Sequence, residues 1–388
     1  MRKILDYLNI RRFGLLEVLI ALYPILMGYQ YSNIPCTLLF LLIMDLLALF
    51  RKTNLFLPSK CMKYLTIFVV VHEIILCATM NYLPSYHINS IISLLVIVPS
   101  IFVIVPVVNF EKLKGSINFI AVICMMGMIY HFVILQTGHY VSPIKIPFMP
   151  NMQSETRLYG EVFRPCSFFW EPQSYCSFMS APLFYSLIDK KYFWTVLIIL
   201  SMFLSTSTTG IAISILSLAV FVLTQNITKS QRVIFLFLGI GLVYILFTAD
   251  FLSVGVEKME SISYEASSRL YNGPTLIANM CMEDLLFGIN YSNVYDYYMD
   301  GNVQAVLIEK YGSIFMPSFW NALAKFGVIG LLLYVGVYVE SIRRSKMLLV
   351  YVLPLIVALF TNPDFLGGLF AFEFIVIYSF IIFENQKV

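Results

Sequence analysis

"SINFIAVICMMGMIYHFVILQ", residues 116 to 136, contains no Asp, Glu, Lys or Arg. At 1.5 Å per residue a helix of that length covers about 31 Å, the thickness of a bilayer's hydrocarbon core. Lys112 and Lys114 stand just before it and a polar stretch begins at 137, so the run is bounded as a membrane-crossing helix is. The pattern recurs along the chain. Of 388 residues 60% are hydrophobic and only 12% charged, and the mean hydropathy is +0.84, well outside the composition of soluble domains. These observations predict an all-α polytopic membrane protein. Its helices are expected at about 13–30, 34–50, 64–83, 88–108, 116–136, 173–188, 192–206, 209–224, 233–248, 317–338, 347–361 and 368–383, about twelve in a single membrane domain spanning 1–388. A net charge of +3, scattered along the chain, gives no basic face for nucleic acid. The seven cysteines show no CxxC pairing and mostly sit in apolar runs. The basic N-terminal stretch "MRKILDYLNIRRFG" is followed by no cleavage pattern and reads as a first anchor.

Charge sets the expected orientation. With the N-terminus inside, the segments expected outside hold six basic residues: Lys145, Arg157, Arg164, Lys258, Arg269 and Lys310. Lys325 lies within a helix, and the other eighteen of the 25 fall in inner segments. This asymmetry places both termini in the cytoplasm. The two longest polar segments, about 137–172 and 249–316, then face outward, and long loops commonly carry function. Within the second, "GPTLIANMCMEDLLFG" reads as a helix with Pro274 near its start and Gly288 as its stop, lying on the membrane surface or capping the bundle.

Several chemistries have no motif. There is no GxxxxGK[ST], GxGxxG, HExxH or DxD, and His72, His87, His131 and His139 do not fall at metal-ligand spacing, so neither a metal nor a cofactor is expected. Charges inside the expected helices are Glu17, Asp45, Glu73, Lys325 and Glu373; Lys325 and Glu373 lie at similar depths and are placed to pair.

The outer charges form a pattern. "RPCSFFWEPQSYCSFMSAPL", residues 164–183, runs from a polar stretch into an apolar helix, carrying Arg164 and Glu171 to its entrance. Arg157 lies in the same loop and Arg269 in "YEASSRLYNGP" of the second, beside Tyr271. Arginine presents a planar fork of donors that matches phosphate oxygens and stays charged, so arginines from two loops at one face are candidates to clamp a diphosphate. The helices beginning at 173 and 209 run inward and direct their positive ends at the same region. "STSTTG", residues 205–210, adds Ser205 and Thr208 as further donors. Plain architecture also fits: Pro172 suits a first helical turn, Phe168, Phe169 and Trp170 suit an interfacial belt, "STSTTG" suits an N-cap, and Arg164 with Glu171 suits a surface ion pair.

"FRPCSFFWEPQSYCSF" resembles the R-x-x-S-F-F-x-E-P stretch of the Wzy-type polysaccharide polymerases, which build O-antigen and capsule chains. "LSTSTTGIAISIL", "SSRLYNGPTLIANMCMEDLLFGINYSN" and "SFWNALAKFGVIGLLLYV" follow in the order that family shows, so the resemblance covers about 155–338. It implies a bundle similar to the GT-C class in a bacterial cytoplasmic membrane. The implied reaction moves a growing chain from undecaprenyl diphosphate onto the next lipid-linked repeat unit at the outer face, with a flippase and a chain-length regulator as partners. On matching positions Arg164 and Arg269 hold the donor diphosphate, Arg157 is a weaker candidate, and Glu171 is the base for the acceptor hydroxyl or the residue that orients Arg164. The related O-antigen ligases carry a histidine where this chain has Ser318, Phe319 and Trp320 before Asn321, which favours polymerase over ligase. A lipid-linked-oligosaccharide flippase is the non-enzymatic alternative. Transporters tend to have repeated halves and helices broken at the midplane, and neither is expected here.

Overall fold

Helix-entry chemistry accounts for many of the boundaries in the computed structural model. It describes residues 13–31, 34–51, 59–79, 85–139, 141–150, 152, 164–225, 268–289, 316–361 and 366–387, with isolated positions between 228 and 241. The first helices are α1 (Leu15–Leu26), α2 (Cys36–Phe50), α3 (Lys60–Thr79), α4 (Ser85–Ile104) and α5 (Phe110–Gln136). A two-residue hairpin, Gln30–Tyr31 with Ile34–Pro35, joins α1 to α2. After the long loop come α6 (Pro172–Ile188), α7 (Tyr192–Leu204) and α8 (Thr208–Thr224), then α9 (Ser268–Asn279) and α10 (Met282–Phe287), and finally α11 (Ser318–Arg344), α12 (Leu349–Ala358) and α13 (Gly368–Lys387). Asn109 opens α5 by accepting the Lys112 N–H at 3.1 Å, and Ser207 opens α8 by accepting that of Gly210 at 3.4 Å. Pro172 occupies the first turn of α6 as expected. Lys190, with φ +55, ends that helix by letting the Lys191 N–H reach back to Ser186 O at 2.8 Å.

Each predicted apolar segment within the described residues is helical; of the one at 233–248 only isolated positions are described. Phe110–Gln136, Ser318–Arg344 and Gly368–Gln386 are long and apolar enough to cross a membrane, and shorter apolar helices pack among them. The architecture is therefore all-α and that of a membrane protein. Large apolar side chains such as Leu46, Leu49 and Phe50 of α2 and Ile67, Val71, Ile74 and Ile75 of α3 are exposed, as a lipid-facing surface requires. At the centre α6 is buried from Pro172 to Leu187, although it carries four serines. Small residues there allow close helix approach: a Cβ on Gly210 of α8 would collide with Cys176 Sγ. Phe178 and Phe184 of α6 meet Phe372 and Phe380 of α13, the other deeply buried helix.

Polar ties sort the loops into two ends. At one, Arg51 pairs with Glu17 at 3.0 Å, Lys114 with Asp189 at 3.4 Å, and Glu340 accepts the backbone N–H of Cys61 at 2.9 Å. At the other, His131 holds the loop before α6, Thr209 donates to Thr361 at 3.0 Å, and the Phe319 N–H reaches Leu359 O at 3.0 Å. Loops expected on one face of the bundle fall together at one end. Glu17 lies within α1 as expected, in its first turn, where it also accepts the Asn109 N–H at 3.1 Å.

Two further expectations change. The α9–α10 segment is two helices with Pro274 inside the first, and Gly288, with φ +84, stops the second as expected. It does not simply cap the bundle: α10 lies alongside α11 as far as Gly327. There α11 is broken, because Gly327 has φ +65 and ψ −170 between two helical halves. A broken helix was not expected.

Candidate functional site

The entrance to α6 is held open by two left-handed residues that are not glycine. Ser167 (φ +57) is fully buried, its hydroxyl donating to Cys124 O at 2.8 Å and its carbonyl accepting the Ile144 N–H at 2.8 Å. His131 Nδ1 accepts the N–H groups of Cys166 and Ser167 at 3.3 and 3.2 Å, which fixes the imidazole proton on Nε2. Thr206 (φ +54), in the turn between α7 and α8, presents its carbonyl to Arg164 Nη1 at 3.3 Å. Each such conformation costs roughly 1–3 kcal/mol and persists only where its surroundings fix it.

Arg164 and Glu171 are both half-buried and flank Cys166. Burial pushes the Cys166 thiol up to about 12; the Glu171 charge adds to the rise and the Arg164 charge opposes it, so both side chains act on one point. Glu171 is the residue preceding Pro172, in extended conformation (φ −142), and its carboxylate does not cap its own helix. The starts of α6 and α8 converge at the entrance, bringing two positive helix ends to a region with one cation and one anion.

The predicted donors part company. Thr208 is exposed at the start of α8. Ser205 is fully buried, donates to Met202 O at 2.6 Å, lies 3.1 Å from Cys176 Sγ and accepts the Ser207 N–H at 3.3 Å. Its hydroxyl is engaged within the turn and against α6. Phe169 is corrected too, from interfacial belt to core, where it packs against Tyr175 and Phe178.

Arg157 lies outside the described residues. Arg269 is in the first turn of α9, and Tyr271, half-buried, follows it. That helix docks on the start of α11 so closely that a Cβ on Gly273 would strike Trp320, with Leu276, Met316 and Ala324 buried together beneath. Through Phe319 and Leu359, then Thr361 and Thr209, the α9 platform belongs to the same end of the bundle as Arg164.

Three residues escaped the sequence reading. His131 was weighed only as a metal ligand; its place at the end of the charge-free run, facing the long loop, was the available signal. The Thr206 hydroxyl and the Gln173 side-chain nitrogen are buried without a hydrogen-bond partner among the described residues. Such groups cost about 1–3 kcal/mol unless something binds them, so they are candidate ligand donors. A cavity of about 170 Å³ near this end is lined by Pro35, Thr37, Leu38, Leu94, Ile97 and Leu366–Gly368, a mixture of apolar side chains and polar groups. No family model, characterised protein or solved structure matches the chain.

Proposed function

We propose that this chain is a polysaccharide polymerase of about twelve spans that transfers a growing glycan from a polyprenyl diphosphate to a lipid-linked acceptor unit at the outer face of a bacterial cytoplasmic membrane. One observation carries the reading. Segments that resemble the polymerase family but lie far apart in sequence meet at one end of the bundle: the 164–178 stretch against 204–210, through Arg164 with Thr206 and Cys176 with Ser205, and the 268–289 stretch against 318–327. Arg164 would bind a diphosphate oxygen, helped by the α6 and α8 N-terminal ends and the Thr206 hydroxyl. Glu171 would take the proton of the acceptor hydroxyl as the glycosidic bond forms and the lipid diphosphate leaves. Arg269 and Tyr271 would approach from the second loop, Arg157 from the first.

The broken helix α11 favours a second reading, transport of the lipid-linked unit, because helices interrupted at depth commonly mark transport sites. The lipid-linked products of cells lacking the protein separate the two. Single repeat units accumulating on the outer leaflet support polymerisation, units confined to the inner leaflet support transport, and long polymer left on its lipid carrier supports ligation.

A further inference from the structure

Two helices tied together at one end give a ruler for depth. Glu340 of α11 accepts the backbone N–H groups of Lys60 and Cys61 of α3 at 3.2 and 2.9 Å, and Arg344 pairs with it at 3.0 Å. Trp320 lies twenty residues before Glu340, about 30 Å along α11, and Lys325 is the one charged residue between them. That distance is the thickness of a bilayer's hydrocarbon core, so Trp320 marks one boundary and Glu340 the other. Gly327 of α11 and Gly288 after α10 cross backbone to backbone: a Cβ on either would strike the main chain of the other strand, at Leu286 and Phe287 or at Lys325 and Phe326. Gly327 is thirteen residues from Glu340, about 20 Å. Counting along α3 gives a similar level, because the Phe287 carbonyl accepts from His72 Nε2 at 2.7 Å and His72 is eleven residues from Cys61, about 16 Å. The end of α10 is therefore about 10 Å inside the boundary that Trp320 marks.

The segment suits that depth. Its acids, Glu283 and Asp284, are in the first turn of α10, and Leu285, Leu286 and Phe287 end it, so polarity falls toward the crossing. Met282, Leu286 and Phe287 are 70%, 40% and 55% exposed, and Val71, Ile74 and Ile75, beside His72 on α3, are exposed as well, so the apolar surface of α3 continues onto α10. The backbone leaving α10 is bonded within the protein: the Gly288 N–H donates to Asp284 O at 2.6 Å, the Ile289 N–H to Ala324 O at 2.9 Å, and His72 supplies the donor for Phe287. Hydrocarbon offers such groups no partner, whereas a loop in water would need none of these bonds. By Met316, which is buried with Leu276 and Ala324, the chain is back at the start of α11, so it leaves by the face through which it entered.

We propose that residues 282–289 are a re-entrant segment: part of the second long loop dips into the bilayer and lays Met282, Leu286 and Phe287 against lipid acyl chains. The expectation that 249–316 stays outside the membrane as a whole is thereby revised for these eight residues. The inserted segment also fixes what precedes it. Gly273 of α9 rests on Trp320 at the edge of the hydrocarbon, so α9 lies at the membrane surface and carries Arg269 there. Withdrawing α10 would expose Phe287 to water and leave the carbonyl of Ala324 without the Ile289 N–H. The inference does not depend on the polymerase reading.

The unaltered chain, placed in nanodiscs whose phospholipid carries a diazirine midway along one acyl chain, tests it without any activity assay. After photolysis, mass spectrometry should find lipid adducts on residues 282–287 as well as on 67–75 of α3. A charged, membrane-impermeant maleimide gives the converse measurement. It should label Cys281, at the start of α10, and leave Leu286→Cys unlabelled, a substitution that only shortens an exposed side chain and so keeps the fold. Adducts on 67–75 with none on 282–287, or labelling of Leu286→Cys as rapid as that of Cys281, would each overturn the proposal.

Discussion

Gly327→Ala should destabilise the protein by about 2–5 kcal/mol. At φ +65 an alanine pays roughly 1–2 kcal/mol for the left-handed backbone alone. Its methyl would also sit inside the van der Waals radii of Leu286 O and C, and overpacking of that kind costs roughly 1–3 kcal/mol. The neighbour is main chain, so no side-chain rotation relieves the clash, and α10 must move away. Gly336→Ala on the same helix is the control: its Cβ would lie 3.3 Å from Cys61 Sγ, a neighbour that can give by a few tenths of an ångström. The control should be within about 1 kcal/mol of wild type, since replacing helical glycine is itself favourable by about that amount. Equilibrium unfolding in mixed micelles reads both. Gly288→Ala attacks the same crossing from the other strand, so the double variant should cost less than the two single costs added. If Gly327→Ala and Gly336→Ala proved equally stable, the crossing of the second loop with α11 would be refuted.

Cys166 and Cys281 should differ sharply in thiol labelling near pH 8. Cys281 is exposed, whereas Cys166 is buried with its thiol held near 12, leaving only about one molecule in 10⁴ as the reactive thiolate, and comparable labelling would exclude the described loop. Arg269→Lys should shorten the polymer nearly as much as Arg269→Ala, because a diphosphate clamp uses the guanidinium fork; full-length product from the lysine variant would remove Arg269 from the clamp. Thr206→Val should leave stability unchanged or raise it by about 1 kcal/mol, since the hydroxyl it removes is buried without a described partner, yet lower transfer; normal product length would assign Thr206 to architecture. Glu171→Gln should fold and bind donor but lose about 10² to 10⁴ in rate if the carboxylate is the base, whereas wild-type product lengths would exclude both the base and the orienting role.

The helices were readable because hydrocarbon admits few alternatives. A run such as 116–136 can satisfy its backbone in lipid only as a helix, so composition and length suffice, and the basic residues between runs then order the ends. Depth was harder to read. Glu17 sits inside an apolar run by sequence, yet its carboxylate ties Arg51 and the Asn109 N–H at the bundle's end, because α1 begins only at Leu15. Ser205 and Thr206 are adjacent residues of one hydroxyl-rich turn with opposite fates: Thr206 turns left-handed, offers its carbonyl to Arg164 and leaves its hydroxyl without a partner among the described residues, while Ser205 spends its hydroxyl on Met202 and Cys176. Nothing in "STSTTG" separates them, because the separation depends on where α6 passes.

The break in α11 shows what hides a functional feature from sequence in such a protein. "SFWNALAKFGVIGLLLYV" reads as one apolar span, and glycine within a membrane helix is ordinary, so Gly327 carries no signal by itself. What breaks the helix is a partner some forty residues upstream: Gly288 brings its own chain within reach, Ile289 takes the carbonyl of Ala324, and His72 takes that of Phe287. Backbone groups freed at membrane depth must find such partners, so a break, a second glycine with positive φ and a buried donor arise together or not at all. The same requirement explains why Lys325 sits two residues before the break and Glu73 beside the donor. Charge is tolerated there because the crossing supplies exposed peptide dipoles that an intact helix would have consumed.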